Sequence, residues 1–173
     1  WKNEMPDWGW RSWPPTEPMN LRWGNPRFIH RRLVAVGDYV YVTLGYSAPV
    51  SVLDAETGEI VRVLSGTENT AEILMHEDIL ILSVTASEEK TVNSAPLMKL
   101  MTVDPKTDEI LWETETMESQ ADFDARGKSA TLKQGRLLIA ADNDFVVAAT
   151  PTEVICFELN TGMIRWRASA ERR

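Results

Sequence analysis

With 173 residues, 43% of them hydrophobic and 25% charged, the chain fits one repeat segment better than several compact domains, and is expected to bury a sizeable core only if its faces find partners. Its 26 acidic residues outnumber 18 Lys and Arg for a formal charge of -8, which argues against a general nucleic-acid-binding role. A single cysteine rules out an intramolecular disulfide framework, and neither a secretory signal nor a long membrane-spanning apolar run is visible, although a chain beginning at Trp1 is compatible with a leader already removed.

Residues 1–28 differ in composition from the rest. Trp1, Trp8, Trp10, Trp13 and Trp23 are interleaved with Pro6, Pro14, Pro15, Pro18 and Pro26. Prolines remove backbone donors and restrict the residues before them, so this lead-in is expected to be irregular, with its aromatic rings covering an apolar edge. The basic run of Arg22, Arg27, His30, Arg31 and Arg32 reads as solvated chain entering the folded part.

From residue 29 to 173 the chain reads as short strands. Leu33–Val36, Tyr39–Leu44, Val50–Leu53 and Glu59–Leu64 form a first group of four, divided by Gly37-Asp38, by Tyr46–Pro49 and by the turn Asp54–Gly58. A second group is expected at Glu72–Met75, Ile79–Val84, Leu97–Val103 and Glu109–Thr114, and a third at Ala130–Lys133, Leu137–Ala141, Glu153–Glu158 and Met163–Arg167. The segments Tyr46–Pro49, Thr85–Pro96 and Ala141–Pro151 are expected to be display loops.

The run Val52–Arg62 returns as Thr102–Trp112 and again as Cys156–Trp166. Its third residue is acidic (Asp54, Asp104, Glu158) and its seventh is a turn residue (Gly58, Asp108, Gly162). A carboxylate can accept local backbone N–H groups, while glycine enters the left-handed region without a Cβ clash and aspartate tolerates it less well. Repeats of about 40 to 50 residues built from short strands point to the blades of a β-propeller. The expected fold is therefore all-β, with three four-stranded blades at about 29–66, 70–116 and 128–167. Three blades cannot close a ring of about four to eight, so the ring is expected to be incomplete in this chain and to need remaining blades or another subunit.

This pattern resembles the quinoprotein-like, or PQQ-like, propeller repeats of pyrroloquinoline-quinone dehydrogenases and of non-catalytic outer-membrane assembly scaffolds, whose docking motif is Ala-x-Asp-x-x-x-Gly-x-x-x-Trp. Val52, Thr102 and Cys156 match its small first position, Asp54, Asp104 and Glu158 its acid, Gly58 and Gly162 its glycine, and Trp112 and Trp166 its tryptophan, while Arg62 and Asp108 depart from it. The resemblance implies that Trp112 and Trp166 pack between blades. A buried Trp166 would make Trp166→Ala cost about 3–5 kcal/mol. It also implies a periplasmic or extracellular setting.

No catalytic, cofactor-binding or metal-binding set is assigned. His30 and His76 lie in different units, and Cys156 reads as a packed strand residue. Asp122, Asp124, Asp142 and Asp144, with Asn143, lack the spacing of a calcium loop and read as polar turns. A scaffold or protein-interaction module is the leading expectation, with Glu88, Glu89, Lys90 and Asn93 in the longest loop as the surface for a protein or glycan partner. The alternative is part of a PQQ-dependent alcohol or sugar dehydrogenase, in which PQQ and calcium would be the cofactors.

Overall fold

The computed structural model describes residues 31–45, 47–86, 96–121 and 135–169. The Trp/Pro-rich lead-in, the strand expected at Ala130–Lys133, and Glu88, Glu89, Lys90, Asn93, Asp122 and Asp124 lie outside the described residues. Three four-stranded antiparallel sheets make up the fold. The first runs in order through β1 (Leu33–Val36), β2 (Tyr39–Thr43), β3 (Val50–Asp54) and β4 (Ile60–Val63). The second comprises β5 (Thr70–His76), β6 (Ile79–Thr85), β7 (Met98–Asp104) and β8 (Glu109–Glu113). After a two-stranded ribbon of β9 (Gln120–Ala121) and β10 (Gly135–Arg136), the third comprises β11 (Leu138–Asp142), β12 (Phe145–Ala149), β13 (Glu153–Glu158) and β14 (Ile164–Ser169).

Each sheet is a meander in which only sequence neighbours pair, as expected of a propeller blade. The first hairpin of every blade turns through two residues, Gly37-Asp38, Glu77-Asp78 and Asn143-Asp144. Positive φ values at Gly37 (57°), Glu77 (47°), Asp78 (64°) and Asn143 (48°) give these turns the twist that adjacent strands need. This corrects the expectation of a display loop at Ala141–Pro151. Asp142-Asn143-Asp144 is the start of a tight hairpin, and Phe145–Ala149 is the second strand of the third blade, paired with both β11 and β13.

Two apolar cores lie between the sheets. Tyr41, Val50 and Val52 of the first blade meet Leu80, Leu82, Val84, Met101 and Val103 of the second. Ile81, Met98 and Leu100 on the opposite face of the second blade meet Val146, Ala148, Ile155 and Phe157 of the third. The middle blade is therefore buried on both faces, and β6 is buried at every position from Leu80 to Val84, whereas burial alternates along β2 and β12. A buried threonine relay closes the junction between the first two blades. Thr67 Oγ1 accepts from Val50 N (2.8 Å) and donates to Leu64 O (2.7 Å), and Thr70 Oγ1 donates to Thr67 O (2.6 Å).

Leu82 is fully buried in the first core, so Leu82→Ala is expected to destabilise the fold by about 2–5 kcal/mol in a denaturant titration. A loss no larger than that of a surface substitution would contradict the packing of the two blades.

Candidate functional site: the blade-docking surface

The repeated turn is built by its acid. Asp54 Oδ1 accepts from Glu56 N (3.0 Å), Thr57 N (2.7 Å) and Thr57 Oγ1 (2.9 Å). Gly58 N then donates to Asp54 O at 2.8 Å, with Gly58 at φ 75°. In the second blade Asp104 accepts from Lys106 N (2.8 Å) and Asp108 N donates to Asp104 O (3.0 Å), with Asp108 at φ 64°. In the third, Gly162 N donates to Glu158 O (2.9 Å) with Gly162 at φ 69°, while the longer Glu158 side chain accepts from Thr161 Oγ1 (2.9 Å) and Arg165 Nε (3.1 Å). Backbone and hydroxyl donors of Thr57, in that order, hold the Asp54 carboxyl below its ordinary value of 3.8.

Beyond each turn the outer strand carries a bulge at the same place, between Val52 and Leu53, Thr102 and Val103, and Cys156 and Phe157 in the facing strand. The bulge sets Arg62, Trp112 and Trp166 opposite Val52, Thr102 and Cys156. From there Trp112 reaches the third blade. Its Nε1 donates to Leu159 O at 2.6 Å, and its ring stacks on Phe157 with centroids 5.9 Å apart and planes 27° from parallel. The indole lies so close to the next turn that a Cβ on Gly162 would stand 2.6 Å from Cδ2 of Trp112. Glycine is needed here for the close approach, and it also takes the left-handed φ without a Cβ clash.

Trp166 occupies the equivalent place on the last strand and is 47% exposed, so the burial on which its expected 3–5 kcal/mol depended is absent. It borders an open concavity of about 290 Å³ with Ala140, Phe145, Val147 and Cys156 on the outer face of the third blade. The Arg165 guanidinium lies 4.3 Å from the centroid of the Phe145 ring. Sequence reasoning did not single out this face, because nothing in β12 was assigned as strand. His76 is spent on a contact between blades, its Nε2 lying 2.8 Å from Asn143 O.

Among the described residues no three His, Cys, Asp or Glu side chains converge as a metal site requires. Asp142 and Asp144 flank the hairpin turn at Asn143, and Cys156 is buried. As placed, these residues do not form the converging donor set that calcium would need. Among the described residues, no helix is long and apolar enough to cross a membrane.

Meander blades, a left-handed turn closed by an acid, and an indole docked on the next blade's turn are the features of β-propeller blades, and the fold is similar to that of a quinoprotein dehydrogenase. A family model described as outer membrane protein assembly factor BamB matches residues 98–173. Among solved structures, the quinohemoprotein alcohol dehydrogenase ADHIIG from Pseudomonas putida HK5 is similar with a TM-score of 0.53 at 17% identity. That match covers 83% of this chain and 21% of the dehydrogenase chain, so this chain spans about a fifth of that relative. No curated protein sequence matches.

Two outcomes follow. In the 173-residue chain, Trp112→Ala is expected to cost about 3 kcal/mol in chemical denaturation and Trp166→Ala no more than about 1 kcal/mol, because among the described residues a turn lies against the first indole and the second is 47% exposed. Because the folded-state pKa of Asp54 is depressed, its contribution is present above the ordinary value of 3.8 and withdrawn as pH falls below it. Asp54→Asn, which cannot titrate, is expected to show a flatter fall of the thermal midpoint below about pH 4. An unchanged acid profile would show that the turn does not depend on the charge.

Proposed function

We propose that these residues are consecutive blades in the wall of a larger propeller of the quinoprotein dehydrogenase type, with the following blade of that propeller seated on Trp166. The observation that carries this reading is the outer face of the third blade. There Trp166 stands as Trp112 does, beside an apolar concavity, and the likeness to an alcohol dehydrogenase extends over most of this chain but only a small part of that one. In such a protein PQQ and calcium would bind to residues other than those described, and an alcohol or sugar would be the substrate class. The described blades would act as rigid support, with Trp112, Trp166 and the three turns as structural residues.

A second reading is a scaffold with protein or glycan partners. It is favoured by the family model over residues 98–173, whose description names an outer membrane assembly factor. That description also supports a periplasmic or outer-membrane-associated location, and the loop containing Glu88, Glu89, Lys90 and Asn93 would be the first surface to test under this reading.

The deciding experiment is a calcium-dependent PQQ titration of the full natural gene product, followed by dye reduction with alcohols and sugars. Saturable binding with substrate-dependent reduction is expected. A folded, complete propeller that binds no quinone would overturn the dehydrogenase reading and leave the scaffold.

A further inference from the structure

The two departures from the repeat, Arg62 for tryptophan and Asp108 for glycine, fall on opposite sides of one blade junction. Arg62 stands on β4 where Trp112 stands on β8. Arg62 Nη1 donates to Pro105 O at 2.6 Å and also to Lys106 O, while Trp112 Nε1 donates to Leu159 O at 2.6 Å. Pro105 and Leu159 each follow the acid of their turn by one residue, so both donors address the same carbonyl of the next blade.

The seventh turn residue changes to match. Asp108 and Gly162 share a left-handed backbone, at φ 64° and 69°. A Cβ at Gly162 would lie 2.6, 2.8 and 2.9 Å from three atoms of the Trp112 indole, and Asp108 carries such a Cβ. An indole at position 62 would meet it, whereas a slender arginine stem passes the turn and still donates. The Asp108 carboxylate is then free to tie the blades together, accepting from Ser65 N (2.9 Å) and Ser65 Oγ (3.2 Å).

We propose that Arg62 with Asp108, and Trp112 with Gly162, are two alternative docking couples whose members cannot be exchanged singly, so that the couple at each junction selects which blade seats against which. The steric term acts in one direction, indole against Cβ. The other direction is apolar, because an arginine on the Gly162 turn would uncover the Phe157 ring on which Trp112 stacks. This inference concerns the two junctions within the chain and stands whether or not the propeller binds a quinone.

A double-mutant cycle on the full chain tests it. Arg62→Trp is expected to lower the thermal midpoint by about 5 °C or more. Adding Asp108→Gly to it should recover at least about half of that loss, although Asp108→Gly alone also lowers the midpoint by removing the Ser65 bonds. Losses that simply add, or an Arg62→Trp variant as stable as the parent, would overturn the coupling. Should Arg62→Trp fail to fold, the double variant decides, since folding of the double supports the couple and its failure rejects it. The reciprocal cycle, Gly162→Asp with Trp112→Arg, should show the same rescue.

Discussion

The contact on which the architecture depends is the side chain that leaves the last strand of one blade and donates to the carbonyl one residue past the acid of the next blade's turn. At the second junction it is an indole N–H on Leu159 O, and at the first a guanidinium on Pro105 O. Three local devices converge to make it. The acid closes the turn, the left-handed residue at the seventh position brings the backbone up to the docking side chain, and the bulge in the outer strand aims that side chain across the junction. Each device is a few residues long, and together they set the spacing of sheets that share no strand pairing.

Burial follows from that spacing. The second blade contributes Leu80, Leu82 and Val84 to one core and Ile81, Met98 and Leu100 to the other, so it holds the flanking blades apart while being covered by both. The third blade buries one face against the second, and its other face carries the Trp166 concavity. At the junction of the first two blades the fully buried Thr67 and Thr70 hydroxyls each donate to a backbone carbonyl.

Much of this was legible in the residues because it is encoded locally. Asp54, Gly58 and Gly162 act through bonds spanning only a few positions, and their recurrence marked the blades and eight strands of the first two units nearly to their ends. The third unit was less legible. Asp142-Asn143-Asp144 has the composition of a loop, yet a two-residue hairpin turn uses the same residues, and only the pairing of Phe145–Ala149 with both neighbours distinguishes them. The docking surface was legible in position but not in state, since Trp112 and Trp166 occupy the same motif place and differ only in whether a turn lies against them. Arg62 and Asp108 stood out singly as departures. Their relation depends on two blades meeting in space, which no local pattern records.

The meander order of the sheets bears on how the chain is made. Every strand of a blade pairs with its immediate predecessor in sequence, so the contacts that define one blade have short sequence separation and can form without waiting for distant segments. On a ribosome the blades emerge in chain order, so β1 to β4 can assemble before β11 to β14 have emerged, and each later blade then finds a finished surface to condense on. The exposed moment falls between blades, when a completed sheet has emerged and its apolar face awaits the next.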